Sequence, residues 1–478
     1  MKRSRVLFES ILVYGVGGMI GNIIPFLMLP VITRMLPDTS YMGYSDIVVT
    51  IVSFASAVMT MGLYDASFRY IFDYENIEEK KSVFNSAFGT VLIISCAVGL
   101  ILLFISTPAT KLMFGEDSFK MLWIIGVGTA FVKAINNVHN VPLRSQNRKK
   151  VYLFINVVVP ILPYFVSVPL ILQGNYLYAL PLAALFAVVL PNIMYCFINR
   201  SWIRLGGFSG EKSKALLKIG APLMPCFLIY WVFNSCDKLM ILHFIGAGAN
   251  GIYAVGEKIG HLSQLIYQAF SSGWQYFAYT TMQDEDQVDM ISHILEYLSI
   301  VSSVASIMMM VFSDHIFTIL FTGDYRLGTI VAPFLFSAPL VLMLYQTVAS
   351  QFMIMNKSWA CALVLCAGAI INVVCNYFLI PILGIEGAAI ATFFGYVVTL
   401  AVTLFALVKL KQIKIFKNTW LTWIIFGITG AIWRLFCYNN IGKYFLGLIA
   451  VAIYILISRN ELKMIWIKLR DFRERSRF

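Results

Sequence analysis

The chain has 478 residues, 59% hydrophobic and only 13% charged, with a mean hydropathy of +0.80. Soluble domains are nearer half apolar and a quarter charged, so a soluble fold is excluded and an integral membrane protein is indicated. The 36 Lys+Arg outnumber the 24 Asp+Glu to give a net charge of +12. In so apolar a chain that excess fits cytoplasmic loops and anionic lipid rather than nucleic acid.

A membrane-spanning helix needs about 20 apolar residues. Fourteen stretches qualify: 8–32, 42–66, 83–106, 119–141, 151–173, 176–199, 221–245, 251–277, 290–313, 329–355, 359–381, 386–408, 419–437 and 441–458. No run of short alternating strands appears, so an all-α membrane fold is expected rather than a barrel. With Lys2, Arg3 and Arg5 placed in the cytoplasm, the inside segments carry 27 basic residues. The outside loops carry five (Arg34, Lys111, Lys120, Arg326 and Lys443), and Lys133, Lys238, Lys258 and Arg434 fall within spans. This asymmetry puts both termini in the cytoplasm. The basic, partly amphipathic segments 199–220 and 459–478 read as membrane-surface elements. None of the eight cysteines forms a CxxC pair or a Cys/His cluster, so they read as small core residues. No cleavable signal peptide is evident.

A faint repeat divides the chain. Ile155-Asn156-Val157-Val158 in span 5 recurs as Ile371-Asn372-Val373-Val374 in span 11, each followed by a proline, a glycine loop and a small-residue helix. This suggests two related six-helix lobes, the usual plan for a midplane transport site. The expected divisions are 1–220, 221–410 and 411–478, the last holding spans 13 and 14 and a basic tail.

Polar residues inside the spans are costly and mark candidate sites. Span 2 carries Asp46, Thr50, Ser53, Thr60 and Tyr64 on one face. Span 4 carries Lys133, Asn136, Asn137, His139 and Asn140, and span 7 carries Asn234, Asp237 and Lys238. Span 8 carries Glu257, His261, Gln264 and Gln268 at helical spacing, with Lys258 at the edge of the stripe. Two readings stand for Asp237, Lys238, Glu257 and Lys258: a sealed salt-bridge set, or the wall of a polar cavity. Arg34 either snorkels or faces that cavity, and so does Lys133. Asp65 and Arg69, four apart, either form a plain ion pair or contribute to the site. Because Arg and Lys suit phosphate, the candidate substrate-binding set is Arg34, Asp46, Arg69, Lys133, Lys238, Glu257, Lys258, His261 and Gln264.

Three stretches, in order, resemble a known family. They are Pro30 through Thr33-Arg34-Met35-Leu36-Pro37 to Tyr44; Asn234-Ser235-Cys236-Asp237-Lys238 with Gly251-Ile252-Tyr253 and Lys258; and Asn372, Asn376, Ile380-Pro381, Gly384 and Gly387-Ala388-Ala389-Ile390-Ala391-Thr392. The chain resembles the polysaccharide (Wzx-type) flippases of the multidrug/oligosaccharidyl-lipid/polysaccharide exporter superfamily. The resemblance implies two six-helix lobes in a V with spans 1, 2, 7 and 8 lining the cavity. It further implies outward flipping of an undecaprenyl-diphosphate-linked oligosaccharide across the bacterial plasma membrane by alternating access, beside glycosyltransferases and a polysaccharide polymerase. Arg34, Arg69, Lys238 and Lys258 become the phosphate contacts. Relatives that flip the peptidoglycan precursor hold sodium through residues matching Asp237, Asn372, Asn376 and Thr392; Asn376 replaces a carboxylate, so coupling to sodium or protons is the expectation to test. No other cofactor is expected, and no nucleophile, HExxH or phosphate-loop motif suggests an enzyme. The rival readings are a multidrug antiporter of the same superfamily, a membrane enzyme of polysaccharide assembly, and a scaffold.

Overall fold

A computed structural model describes residues 23–457, except 147, 205 and 439, together with residue 459. The described chain is helical throughout. α1 (Ile23–Met35), α2 (Thr39–Thr60), α3 (Leu63–Tyr70), α4 (Ile77–Phe104), α5 (Ser106–Phe114) and α6 (Lys120–Ser145) follow in order. After them come α7 (Lys149–Val158), α8 (Tyr164–Leu172), α9 (Tyr176–Ile198) and α10 (Gly210–Gly220). The remainder comprises α11 (Met224–Phe244), α12 (Ala247–Gly260), α13 (Ser263–Thr280), α14 (Gln287–Leu320), α15 (Ala332–Ile354), α16 (Ser358–Leu383), α17 (Ile385–Lys409), α18 (Lys417–Ile432) and α19 (Gly442–Ile457).

Among the described residues, ten helical segments are long and apolar enough to cross a membrane, and Ile23–Met35, Val159–Leu172 and Gly442–Ile457 are shorter apolar helices. Stretch 251–277 is not one helix. It breaks at His261–Leu262 between α12 and α13. The i, i+4, i+7 stripe from Glu257 through His261 to Gln264 assumed an unbroken helix, and the break removes that assumption. The basic tail and the first part of the first span lie outside the described residues.

The chain forms two compact units. One holds the described residues up to Lys258 with Leu320–Gly328 and Ala369–Thr392; the other holds Ile259–Ile319, Thr329–Gly368 and the chain from Phe393 onward. In the first unit, Ile47, Ile51, Ala55 and Met59 repeat every four residues along α2. They pack on Val83, Phe84, Ala87 and Val91 of α4 and on Leu122, Val127, Ala130, Ala134 and Val138 of α6. In lipid such packing relies on close contact through small residues rather than on hydrophobic expulsion from water. The helix starts are fixed by side chains: Asp38 caps α2, Asn76 caps α4 and Ser209 caps α10.

The basic connector differs from the surface-anchoring reading. Trp202 is buried in the core of the first unit. Arg204 and Lys212 pair with Glu78 and Glu79 at the start of α4, and Asn85 binds the Trp202 carbonyl and the Arg204 amide. The acidic first turn of α4 supplies the counter-charge that lipid was expected to supply.

In the second unit, Ile307 and Val311 of α14 pack on Ala450 and Tyr454 of α19. Its polar groups pair among themselves: Gln287 with Gln351, Lys443 with Asp314, and the Trp423 indole N–H with the Ser299 hydroxyl.

Candidate functional site

The site begins with a backbone crossing in the first unit. A methyl on Gly43 of α2 would lie 1.9 Å from the Ala247 carbonyl oxygen of α12, and one on Gly251 would lie 1.9 Å from the Thr39 carbonyl oxygen. Only glycine permits this approach. The Asn250 side-chain amide donates to the Gly43 carbonyl at 3.0 Å and locks the crossing. Two turns further along, α2 is tied to α11 by the Trp231 indole N–H, which donates to the Thr50 carbonyl at 3.2 Å. Trp231 also packs against Phe54, with ring centroids 4.9 Å apart.

These contacts converge three ionisable side chains. Lys238 Nζ of α11 lies 2.7 Å from Glu257 Oε2 of α12 and 3.4 Å from the Asp46 carboxylate of α2. All three are buried. The sealed salt-bridge reading therefore describes this set. Its neighbour Lys258 is different: it is exposed and makes no hydrogen bond or ion pair among the described residues.

A second network leaves α11 one residue earlier. The Asp237 carboxylate accepts from the Lys238 backbone N–H at 2.8 Å, from the Tyr253 hydroxyl of α12, and from the Thr392 hydroxyl of α17 at 3.4 Å. Asn372 of α16 donates to Thr392 at 3.2 Å, and Asn376 donates to Asn372 at 3.3 Å. Asp237, Asn372, Asn376 and Thr392 are thus one buried chain, and the Asn376 amide oxygen at its end has no donor among the described residues. All four carry oxygen ligands suited to a hard cation. As arranged, however, the Asp237 and Asn372 oxygens are already taken up by protein donors.

The other sequence candidates make the following contacts. The Arg34 guanidinium is exposed and donates to the Leu320 carbonyl at 3.2 Å, capping the end of α14. Arg69 is exposed and pairs with Asp73, four residues on. Lys133 is half-buried on α6. His261 sits in the break after α12, and Gln264 lies in the first turn of α13; both are half-buried and belong to the second unit.

The span-4 stripe divides. The His139 ring stacks on Phe88 with centroids 4.7 Å apart and pairs with Asn192 of α9 at 3.0 Å. Asn136, Asn137 and Asn140 instead line a cavity of about 430 Å³ with Tyr64, Ile155, Val159, Pro160, Ala187, Pro191 and Tyr195. Tyr253 and Asn250 were given no role from the sequence. The signal lies in the Gly251-Ile252-Tyr253 stretch, but a tyrosine within an apolar helix carries no partner information by itself.

These features define a class: a polytopic helical membrane protein that holds ionised side chains inside apolar helices. The chain belongs to the polysaccharide biosynthesis protein family, which matches residues 31–327. Its fold is similar to those of solved flippase and multidrug-transporter structures. The lipid II flippase MurJ in an inward closed conformation superposes with a TM-score of 0.68 at 13% identity, over 94% of this chain and 99% of that one. An inward-facing multidrug resistance MATE family transporter superposes with a TM-score of 0.63 at 13% identity, over 83% and 98%. An uncharacterized membrane protein of Methanocaldococcus jannaschii is 26% identical over 262 residues, 52% of this chain and 51% of that protein. The chain thus matches about half the length of that curated relative.

Proposed function

We propose that the protein flips an undecaprenyl-diphosphate-linked oligosaccharide from the cytoplasmic to the outer leaflet of a bacterial plasma membrane by alternating access. In this arrangement 1–220 and 221–410 form two lobes, fourteen helices cross the bilayer with both termini inside, and 411–478 adds the last two spans and the tail. Family membership and the flippase and transporter folds support this reading. The observation that carries it is Lys258. An exposed lysine with no hydrogen bond or ion pair among the described residues, on a helix whose preceding residue is sealed in an ion triad, is a cation kept available for an anionic ligand. Lys238 is committed to Asp46 and Glu257, so the phosphate role falls to Lys258 and the role of Lys238 is to hold three helices together. Arg34, Arg69, Lys133, His261 and Gln264 are secondary contacts along the substrate's route.

The test is translocation of a lipid-diphosphate-linked oligosaccharide in vesicles reconstituted with the purified protein. Lys258→Met lowers the rate at normal protein levels, and Lys258→Arg restores much of it. Absence of translocation by the parent protein in well-folded vesicles, together with efflux of cationic drugs, would replace this reading with the antiporter.

A coupling ion is the second element. The donorless Asn376 oxygen at the end of the Asp237 chain favours a site that takes up a cation or proton during the cycle.

A further inference from the structure

The asparagine-lined cavity of the first unit is not used by either ion network. Four features set its chemistry. None of its lining residues among the described residues is charged, so none of these selects a phosphate or a carboxylate. Asn136 and Asn140 each keep a buried side-chain carbonyl oxygen with no donor among the described residues. Pro191 has no N–H to give the Ala187 carbonyl one turn back, and both residues line the cavity. Tyr64 and Tyr195 add ring faces and hydroxyls. The cavity is therefore rich in acceptors that lack donors, in a protein interior where each missing donor is costly. A lipid tail cannot supply donors. An uncharged ligand bearing several hydroxyls can, and its apolar ring face suits tyrosine.

The volume, about 430 Å³, lies in the range of small-molecule sites. The asparagines are also held in place from behind. The Asn136 amide donates to the Val188 carbonyl at 2.7 Å, and the Asn137 amide to the Thr60 hydroxyl at 3.2 Å. The donorless oxygen of Asn136 is thus pre-oriented, which lowers the ordering cost of binding. Tyr64 and Asn137 also line an adjoining cavity of about 250 Å³ with Ser56, Thr60, Asp65 and Phe227, which extends the polar surface toward α11.

We propose that this cavity is a sugar subsite that binds a neutral pyranose ring of the transported glycan through its hydroxyl donors. The proposal rests on the flippase reading and divides headgroup recognition in two: the diphosphate at Lys258, and a sugar at Asn136 and Asn140.

The experiment uses the full-length protein in lipid nanodiscs. Saturation-transfer NMR with free glucose and free N-acetylglucosamine reads sugar binding, and phosphorus NMR with inorganic diphosphate reads the cationic site. Ring protons of at least one sugar receive saturation from the parent protein. Asn140→Leu weakens that binding about tenfold, the cost of one hydrogen bond. Ala187→Leu, which fills the cavity without removing a polar group, weakens it as well. Both variants retain diphosphate binding, whereas Lys258→Met loses diphosphate and retains the sugar. No sugar signal with the parent, or equal signals from parent, Asn140→Leu and Ala187→Leu, would overturn the subsite while leaving the flippase reading intact. Failure of the parent to translocate any lipid-linked glycan would instead strike the reading itself.

Discussion

Lys238→Met separates a structural lysine from a substrate-binding one. The substitution keeps the length and apolar stem of the side chain and deletes its charge. Asp46 and Glu257 then share a buried site without the ammonium that contacts them at 3.4 and 2.7 Å, and the nearby charge of Lys258 makes no ion-pair contact with either. At 4 Å and an effective dielectric near 20, one such contact is worth about 4 kcal/mol before desolvation is counted. Removing one member of a buried ion set costs about 3–5 kcal/mol, most of it the unpaired charge left behind. Lys238→Met is therefore expected to lose about that much stability in a denaturant titration of the purified protein followed by tryptophan fluorescence. The triple variant Asp46→Asn, Lys238→Met, Glu257→Gln recovers most of the loss, because no bare charge remains. Lys258→Met, by contrast, stays within about 0.5 kcal/mol of the parent, as exposed substitutions do. The reasoning fails if Lys238→Met unfolds with the parent while translocation alone collapses, since that pattern belongs to a ligand contact.

Three further outcomes follow from other parts of the first unit. Gly251→Ala forces a methyl against the Thr39 carbonyl and is expected to destabilise the protein by about 1–3 kcal/mol as an overpacking substitution, with Gly43→Ala behaving alike; unchanged thermal unfolding of both would show that the crossing is loose. Translocation by the parent should depend weakly on replacing sodium with choline, and Asn376→Asp should strengthen that dependence by supplying a second carboxylate beside Asp237; identical rates in both ions for both proteins would remove the Asp237 chain from coupling. Asp38 caps α2, and the Ser40 hydroxyl and backbone N–H hold its carboxyl below the usual carboxylate range. A depressed pKa contributes stability that is full above about pH 4 and is lost as pH falls through the lowered value. Asp38→Ala should therefore cost about 0.5–2 kcal/mol at neutral pH and little in strong acid, and a pH-independent difference between the two proteins would refute the cap.

Much of the fold was legible because a bilayer imposes one simple rule. Long apolar runs become helices, and ten of the expected spans coincide with helical segments long and apolar enough to cross a membrane. The break at His261–Leu262 was hidden. Hydropathy averages over a window, and two short helices in series look like one long one. The ionisable clusters were equally visible, since Asp237-Lys238 and Glu257-Lys258 stand out against apolar neighbours. What the sequence could not give was the pairing. Asp46 is separated from Lys238 by 192 residues, and the packing of α2 on α11 through Trp231, beside the glycine crossing of α2 and α12, brings it near. Without that pairing, Lys238 and Lys258 read as equals. The connector was misjudged for a related reason: its basic residues looked lipid-directed because Glu78 and Glu79 were far away in the sequence.

The two networks leave α11 from consecutive residues, and this adjacency constrains any coupling mechanism. Successive residues on an α-helix point about 100° apart. Asp237 thus engages Tyr253 and Thr392, while Lys238 engages Asp46 and Glu257. A rotation or tilt of α11 large enough to release Lys238 from Asp46 must also change the geometry at Asp237. Tyr253 and Glu257 tighten the link, since they lie four residues apart on α12 and each holds one network. If α11 turns away from both α2 and α12 as the Gly43–Gly251 crossing opens during transport, Lys238 leaves Asp46 and the Asp237 carboxylate loses the Tyr253 donor at the same time. A carboxylate that loses donors takes up a cation or a proton more readily. On the proposed function, ion uptake at Asp237 and opening of the helix crossing are therefore one event viewed from two sides of α11, with Lys258 free throughout to follow the substrate.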